Sequence, residues 1–225
     1  MIVYKLTNQE MQTCGGFQWK LGEIKEASGE GPLCSSGWLH SYEDPLLAVL
    51  HNPIHAAINS PRMFTADTLG GRVLYDLQLK LGSTQLVLLE EIRVPQITTA
   101  QRVAYGILCA LEVCKSDHFT SWAERWLSGE DRSADAAAAA AWREARAATW
   151  ANAAARAARA VEADAAWSRA AEAAGWAALA AWVARTAAAA AWAATAAARE
   201  ANAVGDSLDL SKIAEKAMTY QGELK

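Results

Sequence analysis

The chain has 225 residues and a formal net charge of −4, long enough for one large domain or two small ones. Residues 1–132 carry 11 basic and 15 acidic side chains, whereas residues 133–225 carry 10 of each. Neither part has the basic excess that sequence-independent nucleic-acid binding requires. All five prolines lie at or before Pro95, and 41 of the 70 residues from Ala134 to Ala203 are alanine. A single all-β domain is therefore excluded, and the C-terminal part reads as helical.

In chain order, Ile2–Leu6 reads as a first strand, Gly16–Lys20 as a second and Gly37–Tyr42 as a third. Asp44-Pro45 pairs an N-cap with proline at the first helical position and opens a short helix, which Asn52-Pro53 should end or kink. Arg62–Ala66 follows as a strand, then a Gly70-Gly71 turn. Two longer strands come next, Val73–Leu81 and Gln85–Val94, joined at Gly82-Ser83. Residues 1–96 thus read as an α+β domain, a mostly antiparallel sheet with one short helix.

Residues 97–225 read as an all-α, Ala/Trp-rich helical bundle. One helix runs from about Thr99 to Lys115, with Val103, Ile107, Ala110, Leu111 and Cys114 on one face. A second, from near Asp117, carries Phe119, Trp122, Trp126 and Leu127 and stops at Ser128-Gly129. Ser133 can cap an Ala-rich stretch that breaks at Gly175 into a helical hairpin, and a last short helix follows Asp209. Trp142, Trp150, Trp167, Trp176, Trp182 and Trp192 keep no constant heptad phase, so a regular coiled coil is not supported. They are expected to supply the packing volume that alanine lacks, and a homo-oligomer through this helical half is the expected assembly.

Between Trp176 and Ala198 the only charge is Arg185, but alanine is too weakly apolar, and a central arginine too costly, for a membrane helix. Cys14, Cys34, Cys109 and Cys114 contain no CxxC pair, and no signal-peptide pattern opens the chain. A reduced, cytoplasmic protein without membrane or nucleic-acid partners is expected.

No P-loop, GxGxxG, GxSxG, HExxH or zinc-type cysteine spacing is present. His51 and His55 have the spacing of two ligands on one helix face, but Pro53 stands between them and no third ligand is evident, so no metal and no cofactor are expected. Glu90 and Glu91 are the weak candidates for a catalytic carboxylate; being adjacent on a strand, they point to opposite faces. Gly70 and Gly71 form a turn whose backbone N–H groups could cradle a phosphate, with Arg72 or Arg62 supplying charge. Trp38, His40 and Tyr42 share one period-2 strand face, which could stack and hydrogen-bond a nucleobase or equally be half-buried sheet surface.

Tyr4-Lys5, the run Cys14-Gly15-Gly16-Phe17-Gln18-Trp19, then Cys34-Ser35-Ser36-Gly37-Trp38-Leu39-His40 and Glu43-Asp44-Pro45-Leu46 follow one another in the first 46 residues. That order resembles an uncharacterised domain frequent in bacteriophage and prophage genomes, and the resemblance covers roughly residues 1–95. A looser similarity is to ADP-ribosyltransferase-like folds. It would carry the polar anchor to Tyr4 or Lys5, the second-strand motif to His40 and Ser41, and the catalytic glutamate to Glu90 or Glu91. The Ser-Thr-Ser triplet and the spaced Glu/Gln-x-Glu of those folds are missing.

Together these readings lead us to expect a phage anti-defence protein. It would bind and sequester a small nucleotide signal, such as a cyclic dinucleotide or an ADP-ribose derivative, without catalysis. The alternatives are an ADP-ribosyltransferase-like or nucleotide-cleaving enzyme, and a structural interaction module.

Overall fold

The computed structural model describes residues 1–144, 173–174 and 187–221. Two compact units divide the chain, Met1–Gln96 and Ile97–Lys225. The first is α+β with antiparallel sheets and one short helix, and the second is helical.

In the first unit, β1 (Ile2–Thr7), β6 (Arg62–Asp67), β9 (Gln85–Ile92) and β4 (Ile24–Glu26) form an antiparallel sheet in the order β1-β6-β9-β4. A second sheet has the order β5-β8-β7, from β5 (Leu39–Ser41), β8 (Lys80–Ser83) and β7 (Val73–Asp76). The short strands β2 (Gln12–Thr13) and β3 (Phe17–Gln18) make a hairpin of their own. Tyr4 and Tyr42 exchange backbone hydrogen bonds of 2.7 and 3.0 Å, tying β1 to the end of β5. Val3, Trp19, Leu39, Phe64, Ala66, Leu81, Leu86 and Leu88 form the core between these elements.

Three expectations need correction. The stretch Val73–Leu81 is a hairpin and not one strand: β7 turns back into β8 through Leu77 and Gln78, both in the left-handed region (φ 48° and 61°), with the Leu79 N–H donating to Asp76 O at 2.7 Å. Neither turn residue is Gly, Asn or Asp, so the usual hairpin signal is absent from the sequence. Gly82-Ser83 consequently lies inside β8. Gly82 is required there by packing, because a Cβ would come within 2.4 Å of Leu33 Cδ1 and 2.9 Å of Trp38 Cβ.

The helix α1 (Pro45–His55) also runs through Pro53 instead of stopping before it. Its Asp44 Oδ1 accepts from the Leu46 and Leu47 N–H groups at 2.6 and 3.3 Å, satisfying two donors that helix geometry leaves free. Proline removes one interior hydrogen bond, but only the last two residues follow it, and the Asn52 side chain fixes the exit by bonding both backbone groups of Ile58.

In the second unit, α2 (Thr99–Val113) starts with a reciprocal capping box between Thr98 and Gln101. It is buried on more than the expected face, since Ala100, Ala104, Tyr105, Leu108 and Cys109 are covered as well. One neighbour is α4 (Ala187–Ala203), which lies so close that a Cβ on Gly106 would sit 3.1 Å from Ala190 Cα. Alanine permits this approach, as the composition suggested. The helix α3 (Asp117–Ser128) ends at Gly129 in the left-handed region (φ 83°), Ser133 Oγ accepts from Ala136 N–H as residues 134–144 begin their helix, and Asp209 caps α5 (Leu210–Met218).

The tryptophans, third, do not all pack as expected. Trp142 is 72% and Trp192 43% exposed, so these two do not fill the interior. Among the described residues, the largest buried aromatic side chains here are Tyr105, Phe119, Trp122 and Trp126, from the ordinary-looking stretch before the alanine run. Trp150, Trp167, Trp176, Trp182 and the break at Gly175 lie outside the described residues. Among the described residues, no helix is long and apolar enough to cross a membrane.

Candidate functional site

Five segments of the first unit bring basic and phenolic side chains to one place. From β1, Lys5 extends its Nζ to the backbone carbonyl of His40 on β5, at 2.5 Å, with the Trp19 ring 4.8 Å away. The His40 Nε2 is hydrogen-bonded to Leu33 O in the loop before β5. Just after β5, Tyr42 Oη lies 3.1 Å from Nδ1 of His55 on α1. The His55 ring is in turn stacked on that of His51, with centroids 5.4 Å apart. From β8, Lys80 Nζ donates to the Cys34 Sγ at 3.1 Å, in the same loop as Leu33.

The i, i+4 spacing of His51 and His55 does place both rings on one side of α1, but their neighbour is a tyrosine. Among the described residues no group of three or more His, Cys, Asp or Glu is placed to hold a metal ion.

Burial dominates the electrostatics of this cluster. It pushes Lys5 down from 10.5 to about 7, even though the His40 carbonyl and the Trp19 face both favour the ammonium. His51 is pushed down to about 3 and His55 to about 4, and His40 is lowered too. At the three histidines the charges that add to burial are those of Lys5, Lys80 and the neighbouring imidazoles. Burial pushes the Tyr42 phenol well above its usual range. Burial thus disfavours the charged forms of Lys5 and the three histidines, and a nearby anion would favour them.

Of the residues singled out from sequence, His40 and Tyr42 belong to this cluster. Trp38 does not present a free stacking face: it is buried, its Nε1 donates to Gly31 O at 3.1 Å, and the Arg72 guanidinium covers its ring at 4.8 Å. Arg72 also donates to Gly29 O, so it fastens the loop of residues 28–38 from outside. The Gly70-Gly71 turn is closed internally, with Gly71 N–H donating to Thr68 O and Arg72 N–H to Thr84 Oγ1, both at 2.9 Å. Two of its N–H groups are thereby already used.

Arg62 is engaged in a two-pronged pair with Glu91, at 2.9 and 2.6 Å. Strand register separates both glutamates from the cluster. Thr65 pairs with Tyr4 on one side and Glu90 on the other, while Phe64 pairs with Lys5 and Glu91. Paired residues share a sheet face, so Glu90 lies on the face opposite Lys5. Glu91 shares the Lys5 face but stands two strands away, roughly 10 Å, and is held there by Arg62. Ser41 Oγ, suggested by the looser resemblance, is buried without a hydrogen-bond partner among the described residues.

Lys80 and Cys34 were not singled out by sequence as site residues. No local signal marks them: Lys80 sits in what reads as a continuous strand, and a lone cysteine in a Gly/Ser-rich loop has no partner in sequence. Only the β7–β8 reversal and the fold of the loop bring the two together.

A family model described as a domain of unknown function (DUF7666) matches residues 1–100. No curated protein and no solved structure matches the chain.

Proposed function

We propose that the first unit binds a small anionic ligand of the nucleotide class, seating its phosphate against Lys5, His40, His55 and Lys80, and that it does so without catalysis. The supporting observation is the convergence of these groups from β1, β5, α1 and β8, where every charged neighbour adding to the lowered affinity of the histidines for protons is itself basic. A phosphate supplies the missing negative charge and finds several donors at once. The phenol of Tyr42 and the imidazoles offer hydrogen bonds to a sugar or base beside it. With the phage resemblance, this reading extends to sequestering a nucleotide signal in an infected cell.

Isothermal titration calorimetry of the full chain tests it, with ADP-ribose, cyclic dinucleotides and inorganic pyrophosphate as probes. At least one should bind, and Lys5→Gln or His40→Gln should weaken that binding by about tenfold or more, the loss of a charge-assisted contact. No heat with any probe, from protein shown folded by circular dichroism, overturns the proposal. The enzymatic alternative, with Glu90 or Glu91 as catalytic carboxylate, draws no support from the register described above.

Self-association through the helical half belongs to the same proposal, and the exposed Trp142 and Trp192 are apolar surface available for it. Light scattering of the full chain and of Trp142→Gln checks it; a monomer at all concentrations refutes it.

A further inference from the structure

Lys80 differs in what it touches from four other basic side chains of the first unit. Lys5 donates to a carbonyl, Lys25 to Glu23 at 2.6 Å, Arg62 to Glu91 and Arg72 to Gly29 O. The ammonium of Lys80 donates to the thiol of Cys34, and among the described residues it has no other hydrogen-bond or ion-pair partner. A thiol is a weak acceptor, so an ammonium with three donors gains little there compared with a phosphate oxygen. Lys80 is also central to the cluster, since its charge acts on His40, His51 and His55 together. Its side is the accessible one: Lys80 is half-buried and Cys34 exposed, whereas Lys5, Tyr42 and His51 are buried.

We infer that Lys80 is the specificity-determining residue of this site, and that the phosphate or diphosphate end of the ligand takes the place of the Cys34 thiol on its ammonium. The inference rests on the anion-binding reading above and deepens it. A phosphate seated there enters from the loop side and covers Cys34. It meets His40 next, because Leu33, which holds the His40 imidazole, adjoins Cys34 in the chain. Neutral nucleosides gain nothing from this exchange, so the site ranks ligands by the charge of their phosphate end.

Cys34 makes the exchange measurable, because Cys14 is exposed too and serves as the control within the same molecule, while Cys109 and Cys114 are buried. The full chain is treated with iodoacetamide, a neutral reagent, with and without saturating pyrophosphate or ADP-ribose, and alkylation is followed peptide by peptide by mass spectrometry. The probe should slow labelling of Cys34 by about fivefold or more and leave Cys14 unchanged. By calorimetry, Lys80→Gln should weaken the probe by about tenfold, and Lys80→Arg, which keeps the charge, should recover most of that loss. Binding that leaves Cys34 labelling unchanged, or that is equally tight in Lys80→Gln, overturns the assignment of Lys80 and leaves the wider reading standing. No binding by any probe overturns that reading, and this inference with it.

Discussion

The ammonium of Lys5 meets the carbonyl oxygen of His40 at 2.5 Å, across 35 residues of chain. A lysine turned inward from β1 thus anchors the strand β5, and its charge acts on the His40 imidazole. Its carbonyl partner and the Trp19 face favour the charged form, but removal from water outweighs them and lowers its proton affinity.

That shift makes stability depend on pH in the alkaline range. Lys5 titrates near 7 when folded and near 10.5 when unfolded, so between these values the unfolded chain binds more protons. Stability therefore rises with pH across the window, by up to ~1.4 kcal/mol per pH unit for this one group. The penalty is fully present below about pH 7 and gone above about 10.5. Urea unfolding at pH 7, 8 and 9 should show a shallower pH dependence in Lys5→Met than in the natural chain. Equal slopes would contradict the assignment.

His51 and His55 act in the acid range. Folded, they titrate near 3 and 4 against an ordinary 6.5, so between about 6.5 and 4 the unfolded chain takes up protons that the native one refuses. Stability should fall as the pH is lowered through that interval, by up to ~1.4 kcal/mol per unit for each residue. His51→Leu, which removes one of the two groups, should flatten the fall when thermal unfolding is followed from pH 7 to 4.5.

Gly106 tests the helix packing of the second unit. A Cβ there would stand 3.1 Å from Ala190 Cα and 3.3 Å from its carbonyl oxygen, both backbone atoms that cannot rotate away. Gly106→Ala combines that strain with a gain in helix propensity of about 1 kcal/mol and should change stability little. Gly106→Val cannot be accommodated without parting α2 from α4, and overpacking of this kind costs about 1–3 kcal/mol. Denaturant midpoints of the two variants give the comparison.

Arg72 fastens the loop of residues 28–38 through the Trp38 ring and Gly29 O. In Arg72→Ala both contacts go, so limited proteolysis should cut this loop several-fold faster, with the new cuts confined to it. Arg72→Lys should restore little, because an ammonium cannot stack flat on the indole while reaching the carbonyl. Cuts spread evenly along the chain would show a global loss of stability instead.

Much of the architecture was legible because it depends on local chemistry. Asp44-Pro45, Ser133 and Asp209 mark helix starts by the donors they satisfy, and each cap forms as read. The hairpin at Leu77-Gln78 was not legible, since no residue there advertises a left-handed turn; core packing imposes it. For the site, period-2 alternation put Trp38, His40 and Tyr42 on one face, but only the folded loop shows that Arg72 closes over Trp38.

By itself, then, the sequence determined where sheet gives way to helix, which residues cap three of the helices and which stretch is rich enough in alanine for backbones to meet closely. These follow from propensity and capping, which act within a few residues. Tertiary structure alone decided which basic groups share a site. Lys5, His40, His55 and Lys80 are far apart in the chain and belong to elements with no common periodicity. They meet through strand register and the β7–β8 reversal, and burial then lowers the proton affinity of Lys5, His40 and His55.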